Sequence, residues 1–582
     1  MMHLAGLSDV CALPGYEEST TEFVTSVLGE AGRFATRILA PINQSGDQQG
    51  ARWNSGIVTT PDGFKEAYRQ FVAAGWNGVG GNPVFGGQGM PKLVVAALQE
   101  MWKTANLSFS LAPLLTVGAS EALILCASEA LKRTYLPRMI SGQWTGTMNL
   151  TEPQAGTDLG LIRTRATLQP DGSYLVVGQK IFITYGDQDW SENIIHLVLA
   201  RTPGAPAGVR GISMFLVPKV LLKADGSLGA RNDVQCVSIE HKLGIHGSPT
   251  CVMSYGDMGG AVGFLVGEEN HGLEYMFIMM NSARFAVGLE GLAVSEGAYQ
   301  KAVAYARARV QSRDLAGGKD SVTIIHHPDV RRMLMTMRSK IEAMRALAYV
   351  VAARHDIAAK HPDASLRKQH QQFVDLMIPV VKGWCTETGQ ELTSLGVQVH
   401  GGMGYIEETG AAQYMRDARI TTIYEGTTGI QANDLAGRKI GREGGLALTD
   451  LIAEMTACVT ALGTVSGEHL VVVRSALQEG IDAVATAGSY IAKNYVRDMV
   501  SVSVGAVPFL ELLGVVAGGW QLARAAIVAQ KEIDAGRGDA FYGAKIITAR
   551  FYADHVLTAA AGLAQTVVCG APGALLLAND DF

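Results

Sequence analysis

A chain of 582 residues is longer than one hydrophobic core serves, so three or four structural units are expected. Its 48% apolar and 18% charged residues describe a compact folded protein rather than a disordered one, and a net charge of −6 excludes any general attraction to nucleic acid or to an anionic membrane. The seven cysteines have no close pair among them, which argues against a disulfide framework or a zinc site and suits a reducing, cytoplasmic setting.

Residues 1–30 carry Asp9, Glu17, Glu18, Glu22 and Glu30 and lack a basic start leading into an apolar run, so they do not read as a secretory signal or transit peptide. Residues 1–147 are expected to form a mostly helical domain. Leu123 to Tyr135 has apolar residues at helical spacing, and the glycine-rich segment Gly78 to Gly89 breaks the pattern. That segment follows a helical stretch and lacks a strand–turn–helix frame, so it reads as a loop and not as a nucleotide fingerprint.

Residues 148–262 have a different texture. Short β-prone runs, Tyr174–Val177, Ile195–Ala200, Gly211–Val217 and Thr250–Tyr255, are separated by Gly, Pro and Asp-Gly turns, which predicts an antiparallel barrel or sandwich. Helical periodicity returns over 263–440. Ala283–Val310, Asp329–His355 and Leu366–Leu395 are each long enough for a helical bundle. Gly441–Gly445 reads as a linker. Residues 446–582 then form a further helical domain, and from Gly441 onward nine Lys and Arg face fourteen Asp and Glu, a balance of −5. The most apolar stretch, Val500 to Leu522, contains Pro508, Glu511 and four glycines; a buried helical hairpin is expected there and not a membrane span. The fold class predicted is α+β, mainly α.

Three segments carry chemistry. Leu150–Asp158 sets hydroxyls and a glycine beside the β-region, in a turn suited to a ring carbonyl or a phosphate, or in a plain polar turn. Gln398–Gly404 follows a long helix, and its paired glycines either let backbone approach a ligand or simply end the helix, with His400 packing or capping. In Arg416–Gln431 one helix ends near Thr421 and another starts at Thr427 or Thr428, with Gln431 placed as a capping box requires. Glu425 lies in the joint between them, just before a helix N-terminus, as a turn residue or as a base.

In this order the segments, together with the strand Gln179–Thr184 and the joint Ile423–Thr427, resemble the acyl-CoA dehydrogenase family over about residues 60–440. The acidic extension is similar to that of a subgroup with an added C-terminal domain. The resemblance implies an N-terminal helical domain, a middle β-domain and a C-terminal four-helix bundle holding FAD, which matches the segmentation read from the residues. It implies flavin contacts from Met148, Leu150, Thr151, Phe182 and Thr184, with Gly156 and Thr157 near FAD phosphate and substrate. Many relatives have Trp where this chain has Phe182. Gln398, Gly401 and Gly402 would hold the FAD of a neighbouring subunit in a homodimer or higher oligomer, and Thr427 the nucleotide part of its own.

Arg309 matches an arginine that pairs with the pyrophosphate across the dimer, although Ser312-Arg313 replaces a usual Phe-Gly pair; a solvated helix face is the other reading. The resemblance further implies substrate contacts from Thr157, Arg284, Tyr424 and Gly426, Arg284 bracing the loop of Glu425 or forming an ordinary buried ion pair. The family takes its base from one of two positions, matched here by Glu425 and Ala283, and alanine takes no proton.

The reaction implied is α,β-dehydrogenation of an acyl-CoA. Glu425 removes the α-proton, its backbone N–H and a ribityl hydroxyl polarise the thioester, the β-hydride passes to flavin N5, and an electron-transferring flavoprotein reoxidises the FAD. Desolvation by flavin and acyl chain is expected to strengthen the base. An acyl-CoA oxidase would use the same residues, and a silent FAD-binding protein the same fold; a nucleic-acid-binding flavoprotein conflicts with the acidic extension. A methylthio-substituted short chain, a medium chain and a long chain are all admissible substrates. Met276, Met279 and Met280 fit pocket lining or core packing.

Overall fold

The computed structural model describes the whole chain, Met1–Phe582. Its contacts define two compact units: one contains Val27–Met90 and Met101–Ala286, the other Met1–Ser26, Pro91–Glu100 and Val287–Phe582.

The first unit is built on a sheet of eight strands: β1 (Trp144–Asn149), β2 (Arg165–Leu168), β3 (Tyr174–Thr184), β4 (Asn193–Ala200), β5 (Ser213–Pro218), β6 (Val234–Ile239), β7 (Thr250–Tyr255) and β8 (Ala261–Leu265). They run in the order β6-β7-β3-β8-β5-β4-β1, with β2 on β3. Every pair is antiparallel except β1 and β4, which pair in parallel. The exception follows from the chain path, since the residues between β1 and β4 include β2, β3 and the turn after Leu150. β4 is buried along its whole length, as the run Ile194–Leu199 requires.

The helix α1 (Leu107–Cys126) covers β1. Asn106 caps it by accepting from the Phe109 N–H at 3.0 Å. Strand and helix approach closely at Gly146, where an added Cβ would lie 2.7 Å from the Ala119 Cβ; the Gly146 N–H also donates to Thr116 Oγ1 at 3.0 Å. The expected helical run Leu123–Tyr135 is divided, because Ser128 accepts from the Leu131 N–H and starts a second helix, Glu129–Ser141. Trp190 is stacked between Tyr68 and Tyr185, at 4.8 and 4.9 Å. Gly78–Gly89 is a loop with short 3₁₀ turns, as expected.

α2 (Gly272–Ala308) starts among residues of the first unit and ends among those of the second. With α3 (Pro328–Lys360) and α4 (Ala364–His400) it supplies the long helices of a bundle. Gly291 lets α2 approach α4, since a Cβ there would sit 2.3 Å from the Cys385 carbonyl oxygen. The expected linker Gly441–Gly445 is shortened from its N-terminal side: the short helix α5 (Thr428–Asn433) continues into a π-helix, Asp434–Arg442, and Glu443–Gly445 form the turn to the next helix, Leu446–Leu462. Tyr495 closes on that π-helix at Gly437 and Gly441.

The apolar stretch near residue 500 is not a hairpin. Gly505 separates the short Met499–Val504 from α6 (Ala506–Asp534), a long helix packed on the bundle. α1, α2 and α6 are long and apolar enough to cross a membrane, and 72%, 72% and 78% of their most apolar windows are buried within the protein.

Candidate active site

The sequence-predicted residues fall on two surfaces, one in each unit. On the first, Met148, Leu150 and Thr151 lie at the end of β1 and run into the Thr151–Asp158 turn, while Phe182 and Thr184 lie on β3. Two buried charges join these elements. The Glu152 carboxylate accepts from Lys180 Nζ at 2.8 Å, from the Arg163 and Thr164 N–H groups at 2.6 and 3.0 Å, from Thr164 Oγ1 at 2.6 Å and from Gln154 Nε2 at 2.7 Å. Lys180 also donates to the Leu150 carbonyl at 3.0 Å. The two side chains are 4% and 0% exposed. Burial works to raise the Glu152 carboxyl, but the lysine charge and the hydrogen bonds outweigh it and hold it at about 2. Burial draws Lys180 down to about 8, so both groups are charged at neutral pH.

One residue beyond the lysine's neighbour Ile181, β3 bulges. Met253 pairs with Lys180 and Cys251 with Ile183, so Ile181 and Phe182 face the single residue Val252. Phe182 takes a left-handed φ of 60°, and the residue is 59% exposed while Ile183 is buried. A bare aromatic face on a bulge, beside the partly exposed Thr151 and Thr184 and the exposed Thr157, suits a flavin ring. Gly156 is exposed with open space around it, which leaves backbone free to meet a phosphate.

Beneath this surface runs a polar network that composition did not reveal. Tyr255 Oη donates to Asn149 at 2.8 Å, Asn149 Nδ2 donates to Thr147 Oγ1 at 2.9 Å, and Thr147 Oγ1 lies 2.7 Å from His196 Nδ1. Burial, helped by the charge of Lys219, pushes His196 down to about 3, so it is neutral. Arg284 is buried on α2 within the same unit, near Asn281 and the ring of Phe277. Met276 and Met279 are fully buried and Met280 partly so, and Met279 packs on Gly118 of α1.

The second surface is the joint before α5. Glu425 is half-buried with φ 57°, followed by Gly426 at φ 90°. The Gly426 carbonyl accepts from Lys382 Nζ at 2.7 Å, and Gln431 Nε2 donates to the carbonyls of Glu425 and Gly426, each at 3.3 Å. Thr427 caps α5, accepting from the Ile430 N–H at 3.3 Å. Gln431 therefore turns to the joint instead of completing the expected capping box. The Tyr424 hydroxyl donates to the buried Glu290 carboxylate. Burial first, then the charges of Glu290, Glu425 and Asp417, push that phenol well up. Tyr424 thus keeps its proton, and its hydroxyl is engaged by Glu290.

Arg309, Gln398, Gly401 and Gly402 are exposed. Arg309 follows the end of α2, and the chain then forms a hairpin of Val310–Arg313 with Ser321–Thr323, where Ser312 adopts φ 62°. Gly401 has φ 61° and ψ −142°, a conformation reserved for glycine, with open space where a Cβ would point. His400 is buried, bonds the Gly396 carbonyl at 2.7 Å and packs on Tyr305, in keeping with a packing role.

Four family models match in chain order: acyl-CoA dehydrogenase N-terminal domain at 25–143, middle domain at 147–258 and C-terminal domain at 270–440, then acetyl-CoA dehydrogenase C-terminal like at 451–577. The chain is 49% identical to 3-methylmercaptopropionyl-CoA dehydrogenase of Ruegeria pomeroyi, over 95% of this chain and 94% of that one. It is 37% identical to a broad-specificity linear acyl-CoA dehydrogenase of Mycobacterium tuberculosis, over 93% and 91%. The crystal structure of a Bacillus anthracis acyl-CoA dehydrogenase complexed with FAD superposes with a TM-score of 0.77 over 96% of this chain and 90% of that one, at 19% identity. The chain belongs to the acyl-CoA dehydrogenase family, the FAD-dependent oxidoreductases that desaturate acyl-CoA thioesters.

Proposed function

We propose that the chain oxidises a short methylthio-substituted acyl-CoA, 3-methylmercaptopropionyl-CoA, with Glu425 as the base. The observation that carries the assignment of Glu425 is its joint. The carboxylate sits on a left-handed residue ahead of a capped helix, with the carbonyls of Glu425 and Gly426 drawn to Lys382 and Gln431. A backbone fixed this way gives the carboxylate one direction of approach to an α-carbon. Ala283, at the family's other base position, has no acidic group.

Thioester α-protons are too weakly acidic for a carboxylate in water, so backbone donors must stabilise the enolate oxygen, each by about 3–4 kcal/mol. The Glu425 N–H is the donor assigned here, and Tyr424 walls the site. FAD, when bound, supplies the acceptor for the electron pair that leaves with the β-hydrogen. Phe182 gives its ring a flat surface, Met148, Leu150, Thr151 and Thr184 border it, and Gly156 and Thr157 meet phosphate and substrate. Thr427 holds the nucleotide part. Exposed Arg309, Gln398, Gly401 and Gly402 support a second copy whose FAD they reach. An electron-transferring flavoprotein is the assigned electron acceptor, and seven free cysteines support a cytoplasmic setting.

The test is anaerobic bleaching of the bound flavin across a panel of acyl-CoAs. 3-Methylmercaptopropionyl-CoA is expected to bleach fastest; faster reduction by linear medium or long chains would overturn the substrate. Glu425→Gln is expected to keep FAD and thioester binding while slowing reduction about 1,000-fold or more. Oxygen consumption at the rate of substrate oxidation would replace the flavoprotein acceptor with an oxidase reading.

A further inference from the structure

Behind the joint of Glu425 lies a charge that the reaction does not use. Lys382 belongs to α4 and is 0% exposed, among Val380, Val381, Trp384 and Cys385, all buried. The extension covers this stretch of α4: Leu510 of α6 packs on Gly383, and Trp384 fills the notches at Gly514 and Gly518. An ammonium sealed from water is costly unless its hydrogen bonds repay the loss. One of those bonds goes to the Gly426 carbonyl at 2.7 Å, the residue after Glu425.

That carbonyl is held where it is needed. Glu425 at φ 57° and Gly426 at φ 90° are consecutive left-handed residues. For a residue with a Cβ this conformation is disfavoured and persists only where the surroundings dictate it. Lys382 and the Gln431 amide converge on the Gly426 oxygen, and Gln431 reaches the Glu425 oxygen too. Fixing both carbonyls fixes the two peptide planes that follow the Glu425 Cα, and with them the direction in which its side chain leaves the backbone.

We propose that Lys382 is a positioning residue. Its buried ammonium holds the Gly426 carbonyl so that Glu425 keeps its left-handed backbone and its carboxylate stays aimed at the substrate. The proposal rests on the reading of Glu425 as base.

The test compares Lys382→Met, which fills similar volume without donors, with Lys382→Arg, which keeps charge and donors in a bulkier group. FAD content, thioester affinity from the spectral shift of the flavin, and the anaerobic reduction rate are measured for each. Lys382→Met is expected to keep FAD, to bind thioester within about threefold of the parent, and to reduce about 100-fold more slowly, with Lys382→Arg between the two. A Met variant as fast as the parent, or faster than the Arg variant, shows that volume and not the donor matters and overturns the proposal. So does a loss confined to FAD content. Should Lys382→Met fail to fold, Gln431→Met removes the amide from the same carbonyls and must show the same split between affinity and rate. Glu425→Gln reducing at the parent rate would instead remove the base reading, whatever the lysine variants do.

Discussion

Lys180 and Glu152 tie the turn after β1 to the strand that carries Phe182, through one ion pair and one lysine-to-carbonyl bond. Removing one partner of a buried pair leaves a charge without compensation and typically costs about 3–5 kcal/mol. Lys180→Met is therefore expected to lower the thermal midpoint by several degrees and to weaken FAD retention, read by gel filtration and flavin absorbance; unchanged retention would show that the turn is shaped without the pair. His196 gives a different signature. It is buried neutral, at about 3 against an ordinary 6.5, so below pH 6.5 the unfolded chain takes up a proton that the folded chain refuses. Stability from this group is whole above pH 6.5 and falls on acidification, by up to about 1.4 kcal/mol per pH unit. His196→Gln should flatten the loss between pH 6.5 and 4.5 in denaturant titrations, and equal slopes would show that His196 does not drive it. The joint that holds Glu425 is legible in sequence because it is local: a helix stop, a glycine and a helix start within eight residues. Lys180, Lys382 and His196 are not, since each matters through a partner set by tertiary packing, and a lysine inside a strand or helix reads as solvent-facing until its neighbours are known.

At the level of elements, periodicity located the three long bundle helices because apolar residues repeat along each. Ends moved where caps decided them: Ser128 divides the run from Leu123 to Tyr135, and Asp363, whose side chain accepts from the Ser365 N–H, starts α4. Gly441–Gly445 is a linker only in its last three residues, for a physical reason. Glycine density suggests a linker, yet Gly437 and Gly441 are small because Tyr495 packs against them and the chain stays wound as a π-helix through Arg442. Short β-prone runs mark the β-region in the sequence, but the bulge that exposes Phe182 leaves no mark there. Its φ of 60° is imposed by the pairing of β3 with β7, and nothing in the run Gln179–Thr184 announces a residue out of step.

In the molecule as a whole, the acidic extension is part of the bundle's core. Within the second unit, α6 offers notches at Gly514 and Gly518 to Trp384, Leu510 fills the space over Gly383, and Tyr495 closes the π-helix. Polar ties reinforce the packing. Arg354, lying 3.9 Å over the ring of Phe373, bonds Glu454, and Arg524 donates to the Leu4 carbonyl at 2.9 Å. A chain ended after Arg442 would leave Trp384, the stretch of α4 around Gly383 and the outer side of α5 facing water, and each large aromatic alone hides roughly 150–250 Å² when buried. At about 25 cal/mol per Å², exposing several such groups removes a large part of the 5–15 kcal/mol by which a domain is stable. Residues 1–442 are therefore expected to aggregate on expression, while the full chain elutes as a defined species with FAD absorbance. Adding 446–582 in trans is expected to restore little, because α6 must enter beside α4 as the bundle forms. A truncated chain that stayed soluble, held flavin and reduced it with acyl-CoA would show that the bundle carries its own core, and that the support for Lys382 and Glu425 does not come from the extension.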